Sequence, residues 1–156
     1  MRIIFQFAWE YDLLIDAVPG LIAEFPSLRV LILGEGPSRP ALEQLASRQG
    51  VLDHVTFAGF VPNPATVIGF MKSAGVFVSP SIREGFGMAA LEAMACGTPV
   101  VTVDHPRNAV RERVSMTTGR VASLTAEDLG DKNPHPGLFK GPVTVQAGVH
   151  RHGCGV

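Results

Sequence analysis

The sequence predicts an α/β fold, a parallel sheet of about five or six strands with helices on both of its faces. Through residues 2–132, short apolar segments rich in branched side chains alternate with longer segments of helical periodicity. The run 28–34 (LRVLILG) is almost continuously apolar, as expected of a strand that is buried on both faces. Regular alternation of this kind indicates βαβ units, in which each helix crosses from one strand to the next parallel strand.

The chain opens with a strand and a long helix. Residues 2–7 form the first apolar run, and residues 11–25 have helical periodicity. Four apolar side chains fall on one face of that helix: Leu14, Val18, Leu21 and Phe25. The Pro19-Gly20 pair inside the helix removes a backbone donor, so we expect a kink or a break there.

Capping residues mark where the next two helices begin. Pro40 lies near the start of the helix predicted over 39–50. Asn63 is the predicted N-cap of the helix over 63–75, and Pro64 is its predicted first residue.

Strands and short helices continue to alternate in the rest of the chain. The further strand segments are 54–61, 76–81, 99–104 and 119–123. The further helical segments are 88–96, 108–114 and 125–132, the last with Thr125 and Asp128 in capping-box spacing. Because ligands of a parallel sheet bind beyond the carboxyl ends of its strands, four loops become candidates for a site. They follow Leu33, Phe57, Ser79 and Asp104.

The last segment, 133–156, breaks this pattern. It contains five glycines and three prolines and has no helical period, which predicts an atypical Gly/Pro-rich tail after a domain formed by 1–132. His150, His152 and Cys154 alternate within it and are potential metal ligands. Since a structural zinc site needs four ligands and no fourth is near, we expect no metal site.

Composition and charge exclude several classes of function. The chain has 156 residues, of which 46% are hydrophobic and 17% charged, and its net charge is -1. Without a basic stripe, it is not expected to bind nucleic acid. Charged residues make up about 25% of a typical domain, so the low fraction indicates that a missing partner covers part of the surface.

The sequence also predicts a compartment. Cys96 and Cys154 form no disulfide framework, which favours a reducing environment. Neither a signal peptide nor an apolar run long enough to span a membrane is evident, so we expect a cytoplasmic protein without a transmembrane segment. Cys96 has no basic residue close to it in the sequence and is expected to be an inert core thiol.

The stretch 83–101 (REGFGMAALEAMACGTPVV) carries the most specific chemistry. Two glycines permit a sharp turn before a helix that begins near Met88, and the start of a helix offers unpaired amides to a phosphate. Glu84 and Glu92 flank that helix start, and carboxylates accept hydrogen bonds from hydroxyls but repel phosphates. This layout suits a nucleotide sugar, in which the ribose hydroxyls lie on one side of the two phosphates and the sugar hydroxyls on the other. The alternative is that Glu84 is a surface loop residue and Glu92 an ordinary helix carboxylate.

The residues 84–101 closely resemble the signature of the retaining GT-B glycosyltransferases of group 1, family four. That signature reads E-G-F-G-x-x-x-L-E-A-M-A-x-G-x-P-V-V. The matching residues are Glu84, Gly85, Phe86, Gly87, Glu92, Ala93, Met94, Gly97 and Pro99. The resemblance covers roughly 3–132, since three other segments agree in order: 12–17 (DLLIDA), 31–37 (LILGEGP) and 55–62 (VTFAGFVP).

The resemblance implies that the chain is the C-terminal, donor-binding, Rossmann-like half of a GT-B enzyme. Such enzymes transfer a sugar from a nucleotide-diphosphate sugar with retention at the anomeric carbon, and they usually need no metal or other cofactor. Glu84 would contact the hydroxyls of the donor sugar as the catalytic residue, and Glu92 would contact the ribose. The implied diphosphate contacts are the backbone of Phe86, Gly87, Met88 and Ala89, beside Gly85. The implied nucleobase contacts are Gly59, Phe60 and Val61.

The sequence departs from the family pattern near its beginning. Family members usually carry an Arg after the first strand and a Lys before the DLLIDA helix, and both neutralise the departing diphosphate. Here Gln6 stands near the Arg position and no Lys is present, while Arg2 and Arg83 lie off the motif positions. The acceptor-binding N-terminal domain is also absent from the sequence, so we expect another domain or a partner chain to supply it.

Three interpretations follow from these features. The chain is the donor-binding half of a glycosyltransferase, a non-catalytic nucleotide-sugar-binding module or inactive fragment, or a structural α/β domain that joins a partner chain. The signature favours the first two over the third. His105 and Asn108, which follow the strand predicted over 99–104, are secondary candidates for the donor cleft.

We expect residues 1–156, expressed alone, to show no detectable glycosyl transfer. Holding donor and acceptor in near-attack geometry can contribute about 7–11 kcal/mol, and the acceptor domain of the family is not part of this sequence. A radiolabelled-donor assay with a panel of sugar and lipid acceptors measures the transfer. Transfer, or steady donor hydrolysis, that is lost on Glu84→Ala would contradict the expectation.

Overall fold

The computed structural model describes residues 2–5, 11–123 and 125–129, which form one six-stranded sheet with flanking helices. The strands are β1 (Arg2–Phe5), β2 (Arg29–Leu33), β3 (Val55–Gly59), β4 (Val76–Ser79), β5 (Val100–Val103) and β6 (Gly119–Ala122). The α-helices are α1 (Tyr11–Glu24), α2 (Arg39–Arg48), α3 (Pro64–Ser73), α4 (Met88–Ala95) and α5 (Ala126–Leu129). Short 3-10 helices cover Leu52–His54 and Ala109–Glu112. None of the helices in the described part is long and apolar enough to cross a membrane.

The strands lie in the order β3-β2-β1-β4-β5-β6, and every pair of neighbours is parallel. This order confirms the predicted Rossmann-like parallel sheet. The direction of winding reverses between β1 and β4, and such a switch point opens a crevice beyond the carboxyl ends of the strands. The loop 80–87, which joins β4 to α4, begins at this crevice.

The helices cover the sheet in two groups. In the described residues, α1 contacts α2 and α5, whereas α3 contacts α4. Crossovers between parallel strands are right-handed, so the direction in which the chain moves along the sheet decides which face the connecting helix covers. The chain moves in one direction from β1 to β3 and in the opposite direction from β4 to β6. Each direction places its helices on a different face.

The core is aliphatic and lies between the sheet and both helical groups. All four residues of β5 are buried, and β4 is buried over its first three residues. This confirms the prediction of strands covered on both faces. The largest fully buried side chains are Tyr11, Phe77, Ile15, Leu28, Leu33, Met71, Val18, Val30 and Val51.

Helix α1 differs from the prediction at its centre. It runs without a break through Pro19 and Gly20, so a break there is excluded, whereas a kink, the other expected outcome, stays a prediction. Pro19 costs the helix about 3 kcal/mol by removing one hydrogen bond. Burial of Ile15 and Val18, both fully buried, stabilises by roughly 1.5–3 kcal/mol each and offsets that loss. Phe25, predicted to be on the buried face, lies beyond the end of α1 and is 39% exposed.

The cap at Asn63 is confirmed, the capping box at Thr125 forms only one of its two hydrogen bonds, and one predicted helix is shorter. The Asn63 side chain accepts a hydrogen bond from the Ala65 amide at 2.9 Å, and the Thr125 hydroxyl accepts one from the Asp128 amide at 3.1 Å. The helix predicted over 108–114 is only the 3-10 helix that begins at Ala109. The predicted tail, 133–156, lies outside the described residues.

Gly119→Ala should lower the free energy of unfolding by about 1–3 kcal/mol. A Cβ atom at Gly119 would overlap the backbone carbonyl of Val100, so β5 and β6 would have to separate. The matched control is Gly69→Ala in α3, where a Cβ meets nothing within 4 Å. That change should raise stability by up to about 1 kcal/mol, because alanine is the better helix former. Urea unfolding measures both, and equal effects of the two substitutions would contradict the packing argument.

Candidate functional site

The loop 80–87 is fastened to the loop that follows β5. Glu84 and Asn108 form an isolated parallel bridge beyond the ends of β4 and β5. The Glu84 amide donates to the Arg107 carbonyl at 3.1 Å, and the Ala109 amide donates to the Glu84 carbonyl at 2.8 Å. These two hydrogen bonds extend the sheet by one residue pair, so the backbone of Glu84 is fixed at the edge of the crevice.

Asn108 is the residue that holds this second loop in place. It is only 1% exposed, and its side-chain amide donates to Thr102 Oγ1 and to the Val103 carbonyl, both at 2.8 Å. Its Oδ1 accepts from the Val110 amide at 3.1 Å. With its polar atoms used internally, Asn108 has no surface to offer a ligand, which rules out the donor-cleft contact considered for it. The sequence shows a polar residue after a strand, but it does not show that the residue is buried.

Helix α4 begins at a glycine that the fold requires. Gly87 is the N-cap of α4 and has a φ of 77°, in the left-handed region that favours glycine. A Cβ atom there would also overlap the side chain of Val110, which is fully buried in the 3-10 helix after Asn108. The start of α4 therefore packs directly against the loop that Asn108 holds.

The Glu84 carboxylate lies against the backbone at this helix start. Its Oε1 accepts hydrogen bonds from the Gly87 amide at 2.9 Å and from the Phe86 amide at 3.4 Å. Two of the four amides predicted to hold a diphosphate are thus directed at Glu84. The other two, those of Met88 and Ala89, belong to the first turn of α4, where amides have no partner within the helix.

Glu92 lies in a cleft between α4 and the segment that follows β3. The cleft has a volume of about 250 Å³, and its lining residues are Phe60, Val61, Pro62, Pro64, Val67, Ile68 and Glu92. Phe60 is 56% exposed although it is a large apolar side chain. The structure therefore brings together Phe60, Val61 and Glu92, three of the residues singled out from the sequence.

Gly59 shapes this cleft from behind. It is buried at the end of β3 with a φ of 68°, and its carbonyl accepts from the Gly34 amide at 2.7 Å. This hydrogen bond ties the loop after β2 to the turn that presents Phe60. The rest of the apolar wall comes from Pro62, which ends the segment 55–62, and from α3, none of whose lining residues was singled out from the sequence. No local signal identifies the α3 residues, because their place in the wall depends on the contact of α3 with α4.

Glu84 lies at the start of α4, and Glu92 lies near the middle of this short helix. Glu84 is bonded to the N-cap of the helix, and Glu92 is four residues beyond Met88, or about 6 Å along the helix axis. Among the described residues, the Glu92 side chain has neither an ion-pair nor a hydrogen-bond partner, and it is exposed in the cleft. The positive end of the helix dipole lies between these two acceptors.

Two further features concern charge and metals. The Arg113 guanidinium lies over the Phe86 ring, 4.6 Å from its centroid. In the part of the chain that the structure describes, no group of three or more His, Cys, Asp or Glu side chains is arranged to hold a metal ion. Gln6 and the three candidate metal ligands near the C-terminus, residues 150–154, lie outside the described residues.

The family model of "Glycosyl transferases group 1" matches residues 6–122. The chain belongs to this family. A similar curated protein is the GDP-mannose-dependent alpha-(1-6)-phosphatidylinositol dimannoside mannosyltransferase of Mycobacterium tuberculosis, which is 37% identical over 116 residues. That match covers 74% of this chain but 29% of the mycobacterial protein. This chain spans 23% to 35% of the length of the curated relatives compared.

Solved structures with the same fold confirm the architecture of this glycosyltransferase domain. One is the C-terminal domain of the group 1 family protein LpcC from Francisella tularensis, with a TM-score of 0.71 and 22% identity over 84% of this chain and 71% of that one. Another is HepE of Anabaena in complex with UDP and glucose, with a TM-score of 0.70 and 24% identity over 81% of this chain and 35% of that one. The chain thus has the fold of a C-terminal GT-B domain, as the sequence predicted.

Gly87→Ala should destabilise the domain by about 1–3 kcal/mol and abolish binding of nucleoside diphosphates. The left-handed φ and the overlap with Val110 both displace the start of α4. For stability, Gly85→Ala is the matched control, because a Cβ atom there meets nothing within 4 Å. Thermal unfolding and calorimetric titration with uridine diphosphate measure the two effects. Wild-type stability of Gly87→Ala would refute the described geometry.

Proposed function

We propose that this domain binds a nucleotide-diphosphate sugar and is the donor half of a retaining glycosyltransferase. The observation that carries the proposal is the position of Glu92. It is an exposed carboxylate in an otherwise apolar cleft, and it belongs to the same helix, α4, whose first turn has amides without a partner in the helix. A ligand that matches this order of groups has an apolar ring, a linker with hydroxyls and an anionic end. A nucleoside diphosphate has this layout.

The nucleobase binds in the cleft beside Phe60 and Val61. Their apolar surface, continued by Val67 and Ile68 of α3, offers a flat ring a site that removes it from water. Glu92 then accepts hydrogen bonds from the two ribose hydroxyls. Its charge favours this role, because a carboxylate acceptor strengthens a hydrogen bond from a hydroxyl donor.

The diphosphate binds at the first turn of α4. The amides of Met88 and Ala89 point along the helix axis toward it, and the helix dipole stabilises its negative charge. The amides of Phe86 and Gly87 remain with Glu84, because a phosphate close to that carboxylate would be repelled. The phosphates and Glu84 therefore occupy adjacent positions on the same helix start.

Glu84 binds the sugar that is transferred. Its Oε1 is held by two backbone amides, whereas Oε2 accepts no hydrogen bond from the described residues. A fixed acceptor of this kind orients sugar hydroxyls and thereby the anomeric carbon beside the diphosphate. In this proposal the helix end and its amides stabilise the leaving diphosphate, and no metal takes part.

The acceptor is proposed to come from another part of a longer protein or from a partner chain. The relatives compared are about three to four times longer than the matched segment, as their coverage of 23% to 35% requires. The cytoplasmic location predicted from the sequence remains a prediction.

A non-catalytic nucleotide-sugar-binding module is the second candidate. It is favoured by the absence of the family lysine, since Lys72 in α3 is the first lysine in the chain. Developing negative charge on a leaving group needs preorganised donors or cations. Steady donor hydrolysis by a longer protein in which this domain is joined to an acceptor domain would exclude this candidate.

Glu92→Gln should weaken binding of uridine and guanosine diphosphates, whereas Glu84→Gln should weaken binding of the sugar-linked donor more than that of the free diphosphate. A lost charge-assisted hydrogen bond costs roughly 1.5–3 kcal/mol, or roughly 10- to 150-fold in affinity. Calorimetric titration with both ligand types measures the effects. The control is Glu24→Gln, at the exposed end of α1.

If both variants lost the same affinity for both ligand types, the proposed division between ribose and sugar would be wrong. If neither the wild-type domain nor the control bound any nucleoside diphosphate, donor binding itself would be wrong.

A further inference from the structure

Thr98 links the two helices that line the cleft around Glu92. It is only 3% exposed and lies between α4 and β5. Its hydroxyl donates a hydrogen bond to the Met71 carbonyl of α3 at 2.6 Å. Its amide donates to the Ala93 carbonyl of α4 at 2.9 Å. One buried residue is therefore bonded to both α3 and α4.

The backbone of Thr98 is fixed on both sides. Before it, Gly97 has a φ of 75°, and the bond from the Thr98 amide to Ala93 completes the Schellman arrangement that closes the end of α4. After it, the Pro99 carbonyl accepts from the Phe77 amide of β4 at 2.8 Å. The hydroxyl thus reaches α3 from a point that α4 and the sheet hold in place.

The two carbonyls bonded to Thr98 lie close in the chain to the lining of the cleft. Ala93 directly follows Glu92, and Met71 comes three residues, or about one helical turn, after Ile68. The start of α3 follows the segment 60–62, which supplies the rest of the apolar wall. A slide of α3 along α4 would therefore move the apolar wall relative to the Glu92 carboxylate.

Packing alone leaves the relative position of these two helices less defined. The buried residues of α4 are all alanines, namely Ala89, Ala90 and Ala93. Alanine side chains form only low ridges, so they resist a small slide of a neighbouring helix less than larger side chains would. A hydrogen bond, in contrast, has a preferred length and angle. The bond from Thr98 to α3 supplies the directional restraint that apolar contact lacks.

We propose that Thr98 is a positioning residue for the nucleoside part of the donor. Its hydroxyl holds α3 where the apolar wall can cover a nucleobase while Glu92 reaches the ribose. Thr98 is not part of the cleft lining, so it acts on the ligand only through the two helices. The ligand part of this inference rests on the proposed function, whereas the positioning of α3 does not.

Thr98→Val tests the hydroxyl, because valine has nearly the same shape as threonine. The Met71 carbonyl also accepts from the Ala74 amide at 3.0 Å, so it keeps a partner in this variant and we expect the domain to fold. In the domain without ligand, the Ile68 methyl signals should shift in a nuclear magnetic resonance spectrum. Thr98→Ser, which restores the hydroxyl, should return these signals to their wild-type positions.

Binding separates this role from a general loss of stability. Thr98→Val should bind uridine and guanosine diphosphates roughly three- to tenfold more weakly, the effect of one weakened hydrogen bond. Its affinity for inorganic pyrophosphate, followed by the amide signals of Met88 and Ala89 at the opposite end of α4, should not change. The control is Val18→Ala, fully buried in α1 on the other face of the sheet. It should lower the melting temperature and leave the ratio of the two affinities unchanged.

Three outcomes would overturn the inference. Unchanged Ile68 methyl signals in Thr98→Val would show that the hydroxyl does not position α3. Equal weakening of nucleoside diphosphates and pyrophosphate would show a general disturbance of the site, as would an equal change of their ratio in Val18→Ala. Failure of Thr98→Ser to restore nucleoside diphosphate binding would exclude the hydroxyl as the cause.

Failure of the proposed function is seen separately. A wild-type domain that binds pyrophosphate but neither nucleoside diphosphate would refute donor binding and the ligand part of this inference. The Ile68 signals would still decide whether Thr98 positions α3.

Discussion

The buried carboxamide of Asn108 is the contact on which the geometry of the site depends. Its hydrogen bonds join the end of β5 to the 3-10 helix that carries Val110. Val110 packs against the start of α4 at Gly87, and the backbone beside Asn108 pairs with Glu84. One neutral, fully paired side chain thus fixes the position of both the helix start and the acidic loop. A buried hydrogen-bond network of this kind stabilises the fold only if every donor and acceptor in it has a partner.

This arrangement separates two opposing electrostatic requirements. A phosphate is attracted by the amides and the dipole of a helix start, whereas sugar hydroxyls call for a carboxylate close by. The proposed site would meet both, because Glu84 is bonded to the amides just before α4 and the amides of the first turn have no partner in the helix. Glu92 lies farther along the same helix, so charges of like sign are spaced along one axis instead of meeting at one point.

Much of the fold followed from local patterns in the sequence. Branched apolar runs identified the strands, and Asn63 marked a helix start, because both signals depend on neighbours close in the chain. The continuity of α1 through Pro19 did not follow, since it depends on burial of Ile15 and Val18 against distant elements. Propensity describes an isolated helix, and tertiary packing decides whether the helix persists.

The residues of the candidate site were predictable where they belong to one continuous stretch of the sequence. Glu84, Glu92 and Gly87 belong to a single motif, and Phe60 and Val61 belong to a second segment with its own resemblance. The apolar wall from α3 was not predictable, because it arises from the contact of α3 with α4. The structural role of Asn108 was missed for the same reason. Its hydrogen-bond partners lie close in sequence, but its burial is a property of the assembled sheet.

The central position of β1 has a consequence for how the domain is assembled. β1 is the first strand among the described residues, yet it pairs with β2 on one side and with β4 on the other, with Ile3 opposite Val76. During synthesis it leaves the ribosome long before β4 exists, so one of its edges stays unpaired until most of the chain has emerged. Such delayed long-range pairing slows folding and exposes an edge to other chains. Closure of the seam between β1 and β4 is therefore a late step in the folding of this domain.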